Sequence, residues 1–192
     1  MVPMSLKNQY NSEERKVLLG WAKASIQHGL KTGWPISPNL SGLPTKLTEQ
    51  RATFVTLEKI QRLRGCIGML QATRPLVEDI ANNAFAAAFK DPRFPALKKQ
   101  ELKHLEIHIS ILSLSEPLNF SSQQDLLAQL RPGIDGLILE EGSKRGTFLP
   151  TVWESLSEPK EFLTHLKQKA GLPKNYWSDT LKIQRYTTEL ID

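Results

Sequence analysis

The sequence predicts an α+β fold on a largely antiparallel sheet, and three observations carry that prediction. Helical and extended patterns follow one another in mixed succession rather than in strict βαβ alternation. Two pairs of extended stretches lie close together across short turns, as the arms of hairpins do. The order strand, turn, Arg-Gly, strand, proline, helix also occurs twice, over 54–89 and 137–170, with Arg64-Gly65 answered by Arg145-Gly146. This suggests two β-α structural repeats.

A first helix fits residues 11–28. Asn11 and Glu14 make a capping-box pair, Val17, Leu18, Trp21, Ala24 and Ser25 share one face, and Gly29 is placed to end it. Residues 30–50 carry Gly33, Pro35, Pro38, Gly42 and Pro44, which predicts a long irregular connection wrapping the sheet. The run 51–58, with Thr53, Phe54, Val55, Thr56 and Leu57, reads as a strand. A turn at 59–62 leads into a second arm at 63–70.

Pro75 suits the first turn of a helix with Thr73 as its cap. Leu76, Val77, Ile80, Ala81, Ala84, Phe85 and Ala88 give that helix a wide apolar face as far as Phe89. Asp91-Pro92-Arg93-Phe94-Pro95 stops it and leaves an aspartate and an arginine for pairing. A helical turn at 98–103 precedes a strand in which Leu105, Ile107, Ile109 and Ile111 mark the core face and His108 the other. A short helix at 122–130 follows. A hairpin then joins 134–140 to 146–149 across 141–145, a helix spans 159–170 with Gly171 as its cap, and a last strand covers 181–186.

The chain of 192 residues, 40% hydrophobic and 23% charged, is that of a globular protein able to bury a core. No apolar run approaches the roughly 18 residues of a membrane span. Residues 1–10 lack the apolar core of an export signal. One cysteine cannot form an internal disulfide, which places the chain in the cytoplasm. Net charge is +5, from 25 basic and 20 acidic residues, without a block of like charge. A nucleic-acid partner is therefore neither favoured nor excluded. There is no Gly-rich phosphate loop and no Cys/His set at zinc spacing. His28, His104, His108 and His165 are scattered, so neither a bound metal nor a cofactor is expected. Oligomeric state is not legible.

The stretch of chemical interest is Leu63-Arg64-Gly65-Cys66-Ile67-Gly68, which holds the single cysteine. Strict alternation puts Leu63, Gly65, Ile67 and Met69 toward the core and Arg62, Arg64, Cys66 and Gly68 on the opposite face. Cationic neighbours favour a thiolate. A free cysteine is also one of the residue types most often buried as a small apolar side chain, and a β-bulge at Gly65 would re-aim Cys66.

These six residues, with Asp91-Pro92-Arg93-Phe94-Pro95, Ile107-His108-Ile109-Ser110, Asp135-Gly136-Leu137, the segment from Lys144 to Pro150 and Lys169-Ala170-Gly171, resemble the AMMECR-one domain family. Its bacterial form is protein A of the AmmeMemoRadiSam system. The resemblance covers residues 6–192 as one domain and implies an α+β fold with two repeats around one barrel-like sheet. It implies association with a Memo-like protein and a radical SAM enzyme, but no settled reaction. Arg64, Gly65, Cys66 and Gly68 would form the functional surface, with Asp91, Arg93, Thr147 and Pro150 behind them. Two chemistries stay open. In one, Cys66 is a thiolate nucleophile or redox thiol, Arg64 lowers its pKa and binds an anionic group, and His108 is the base to consider. In the other, Arg62 and Arg64 dock a partner protein and Cys66 packs.

Overall fold

The computed structural model describes residues 9–192. Helix α1 (Ser12–Thr32) starts at the expected capping box: Glu14 N donates to Asn11 Oδ1 (2.9 Å) and Asn11 N to Glu14 Oε2 (2.8 Å). It runs past Gly29 and ends at Gly33, whose φ of 80° is the left-handed cap conformation. Gly29 serves packing instead. A Cβ there would stand 2.6 Å from the Phe89 ring and 2.7 Å from that of Phe85. The connection that follows holds one short helix, α2 (Thr45–Thr48), whose Leu47 is buried.

Strands β1 (Thr53–Lys59) and β2 (Arg62–Gly68) form the first hairpin, and α3 (Leu76–Phe89) packs across its core face. Asp79, fully buried on α3, accepts from Thr53 N (2.9 Å), Thr53 Oγ1 (2.7 Å) and Asn83 Nδ2 (2.9 Å), which ties the helix to the start of β1. Burial nevertheless pushes its carboxyl up. Thr73 does not cap α3; Pro75 holds that position without a side-chain bond. A 3₁₀ turn (Lys99–His104) leads to β3 (Leu105–Leu112), paired antiparallel with β1.

The second half repeats the order. A two-residue strand, β4 (Glu116–Pro117), and α4 (Gln123–Gln129) precede the hairpin of β5 (Gly136–Glu141) and β6 (Lys144–Phe148). A 3₁₀ turn (Pro150–Glu154), α5 (Pro159–Lys169), β7 (Lys182–Tyr186) and β8 (Thr188–Ile191) complete the chain. The repeat is physical: Gly65 pairs with Leu57 and Gly146 with Leu139, and both glycines lie under the helix that follows.

The expected α+β class, antiparallel pairing and paired β-α repeats are present; the single barrel-like sheet is not. The described strands form two four-stranded sheets, β2-β1-β3-β8 and β4-β7-β5-β6, with no closed barrel. One reason is visible at β2, an edge strand whose outward groups at Cys66 are taken by side chains, so no further strand bonds there.

The described chain divides into two compact units, one up to Leu112 with Glu189–Asp192, the other Ser113–Thr188. In the first, Val55, Leu57, Ile109 and Ile111 meet α1 and α3 in one core. Glu189, buried on β8, accepts from Arg15 Nη2 (2.6 Å) and Gln9 N (2.9 Å) and fastens the start of α1. In the second, Leu137, Leu139 and Ile183 pack on Phe162, whose ring stacks on Trp153 at 3.8 Å. No helix among the described residues is long and apolar enough to cross a membrane.

Candidate functional site

The first hairpin turns on Ile60 and Gln61, at φ 54° and 55°. Two left-handed residues suit the twist of a two-residue hairpin, but Asn-Gly is the sequence that tolerates them, and a β-branched side chain there is strained. Ile60 is also 71% exposed. Replacing the pair (Ile60→Asn with Gln61→Gly) is expected to raise stability by about 1–2 kcal/mol, since left-handed backbone costs about that for a residue with a Cβ. A urea titration reads it as a higher midpoint at unchanged slope.

Beyond the turn the register slips. Leu57 faces Gly65, but Glu58 faces Leu63, so Arg64 is the extra residue of a β-bulge. The strict alternation read from sequence therefore fails at Leu63, which lies on the outward face and is 45% exposed. Gly65 stays on the core face, where a Cβ would collide with the Ala87 carbonyl of α3. Arg64, 9% exposed, is turned onto the segment after α3. Its Nε donates to Glu101 Oε1 (3.0 Å), and its Nη2 to Glu101 Oε2 (3.1 Å) and the Pro95 carbonyl (2.9 Å). Lys59 Nζ adds a third cationic donor to Glu101 (3.2 Å). Led by the Arg64 bonds, these hold the Glu101 carboxyl down at about 2 against the opposing effect of burial. Arg64 Nη1 is buried without a hydrogen-bond partner.

Cys66 is half-buried on the outward face, opposite Thr56, whose Oγ1 stands 3.2 Å from the thiol sulfur. Its backbone is closed by a pair of side chains acting as a neighbouring strand would. Cys66 N donates to Asp91 Oδ2 (2.9 Å), and the Cys66 carbonyl accepts from Arg93 Nη2 (3.2 Å). Arg93 in turn grips Asp91 through Nη2 (2.7 Å) and Nε (2.9 Å), as their spacing suggested. That grip holds the Asp91 carboxyl well below the usual carboxylate range. Each guanidinium near Cys66 is thus matched by a carboxylate, Arg93 by Asp91 and Arg64 by Glu101.

His108 shares the outward face, on the far side of Thr56 in the row Cys66, Thr56, His108. Two strand spacings separate its backbone from that of Cys66, about 9–10 Å. Gly68 packs against Phe54, where a Cβ would meet the ring. Thr147 and Pro150 belong to the other unit. There Thr147 Oγ1 donates to the Leu137 carbonyl (2.8 Å) and meets Tyr186 Oη (3.1 Å), while Pro150 is buried. Burial pushes the Tyr186 hydroxyl up to about 12.

As site residues, sequence reasoning passed over Thr56, Glu101 and Ile60, and it turned Leu63 toward the core. The first two join the hexapeptide only through strand register and a contact 37 residues away. Ile60 carried a signal, an apolar residue in a turn. Among the described residues one set of metal-ligating side chains converges: Glu58, Glu106 and His108.

The AMMECR1 family model matches residues 19–191. A protein of Methanothermobacter thermautotrophicus is 35% identical over 187 residues, covering 93% of either chain. One of Thermotoga maritima is 40% identical over 172 residues, covering 88% of this chain and 93% of its own. The crystal structure of the uncharacterised protein PH0010 from Pyrococcus horikoshii superposes with a TM-score of 0.86 at 34% identity, over 94% of this chain and 91% of that one.

Proposed function

This chain belongs to the AMMECR1 family, and on that premise we propose that it is an accessory protein that docks a partner through the tip of its first hairpin. The partner assigned is a Memo-like protein, acting with a radical SAM enzyme; the resemblance to protein A of the AmmeMemoRadiSam system supports this pairing. The observation that carries the docking role is the tip itself. Ile60 and Leu63 are exposed, Ile60 is held in strained backbone, and Lys59, Arg62 and Arg64 line the adjoining cavity of about 460 Å³ with Glu101. Apolar anchors ringed by charge are what partner surfaces use, and strain retained at an exposed position points to use rather than stability. Three cations against one carboxylate in that cavity suit a partner that offers an acidic side chain beside an apolar one.

A reactive thiol at Cys66 is the weaker reading. Among the described residues the side chain within hydrogen-bond distance of its thiol is a threonine, not a base, and the guanidiniums around it are paired. Thiolate chemistry needs a base or an unbalanced positive charge at the sulfur.

Titrating the Memo-like protein against variants separates the two. Leu63→Ala and Arg62→Ala are each expected to weaken binding about tenfold, the effect of removing an anchor or a rim charge, while Cys66→Ser stays within about twofold. Function lost in Cys66→Ser with binding intact would favour the thiol instead.

A further inference from the structure

We propose that Glu58, Glu106 and His108 form a binding site for a divalent first-row transition metal on the outward face of the first sheet. Glu58 on β1 and Glu106 on β3 are directly opposed in the ladder, and His108 lies two residues beyond Glu106 on the same face. One donor atom from each falls within 4.8 Å of the others, with His108 Nε2 3.9 Å from Glu58 Oε2.

Two carboxylates placed opposite one another on a sheet repel. Among the described residues Glu106 has no cationic partner, and Glu58 has none other than His108. Lys59, beside Glu58 in sequence, is committed to Glu101. A divalent cation converts that repulsion into attraction and balances both negative charges.

The donor set selects the ion. One imidazole nitrogen with two carboxylate oxygens suits zinc, manganese or ferrous iron, whereas magnesium and calcium take oxygen ligands alone. The required ligand-to-ligand distances, about 3 Å around an ion with bonds of 2.0–2.2 Å, lie within reach of side-chain rotation because all three side chains are at least partly solvent-accessible. Three protein ligands leave positions for water or for a further ligand. The strand register makes the site; in sequence Glu58 stands about 50 residues from its partners, outside any metal-binding spacing pattern.

The test is calorimetric titration of the chelator-treated full chain with ZnCl2, alongside thermal melts with and without the ion. One equivalent is expected to bind and to raise the melting temperature. His108→Ala and Glu106→Gln should each weaken binding at least tenfold, and Cys66→Ser should not. Without metal, Glu106→Gln should melt higher than the parent chain, since it removes the repulsion, yet respond least to zinc. No binding at tens of micromolar zinc overturns the proposal. So does binding that survives both variants, or binding lost in Cys66→Ser.

Discussion

Replacing Gly65 by alanine is expected to destabilise the protein by about 3 kcal/mol, the upper range for forcing a methyl into a filled interior. The obstacle is the Ala87 carbonyl of α3, which is backbone and cannot rotate away. Helix and hairpin must part, and the bulge that aims Arg64 at Glu101 goes with them. Two companion substitutions calibrate the effect. Gly20, on α1, has nothing within 4 Å of a would-be Cβ, so Gly20→Ala is expected to add about 0.5–1 kcal/mol of helix stability. Gly146, its repeat counterpart on β6, would meet Ala170 Cβ at 2.9 Å and should cost less than Gly65. Urea midpoints order the three; a neutral Gly65→Ala would mean that α3 does not hold the hairpin.

The second large effect is at Glu101. Glu101→Gln removes the carboxylate on which Arg64 and Lys59 converge and leaves a guanidinium with 11% side-chain exposure unpaired. Loss of one partner from such a pair costs about 3 kcal/mol. The sign with pH follows from linkage. The folded carboxyl sits at about 2, below its ordinary 4.5, so between these values the unfolded chain binds more protons. The stabilisation is complete above pH 4.5 and is lost as pH falls toward 2. Acid titration of stability should therefore show a shallower acid limb for Glu101→Gln than for the parent. Parallel acid limbs would mean that the pairing contributes nothing to the fold.

Much of the framework was legible in the chain because its signals are local. The capping box of Asn11 and Glu14, the alternation from Leu105 to Ile111 and the proline-bounded segment after Phe89 each specify their element within a few residues. Gly29 misled because its local pattern suits a cap, whereas its role is set by Phe85 and Phe89, more than 50 residues on. The candidate site was legible only in its centre. The hexapeptide marks where to look, but the bulge that places Leu63 outward depends on Ala87, Pro95 and Glu101, none of them near in sequence. The barrel expectation failed for a related reason. Strand patterns do not say that Asp91 and Arg93 will close the edge of β2 in place of another strand.

The docking role is tested most directly by amide hydrogen exchange along the first hairpin, measured with and without the Memo-like protein. Exchange over residues 59–65 is expected to slow on addition of the partner in the parent chain and to slow less in Leu63→Ala at the same partner concentration. Slowing confined to other segments, with the hairpin exchanging as in the free protein, would contradict it.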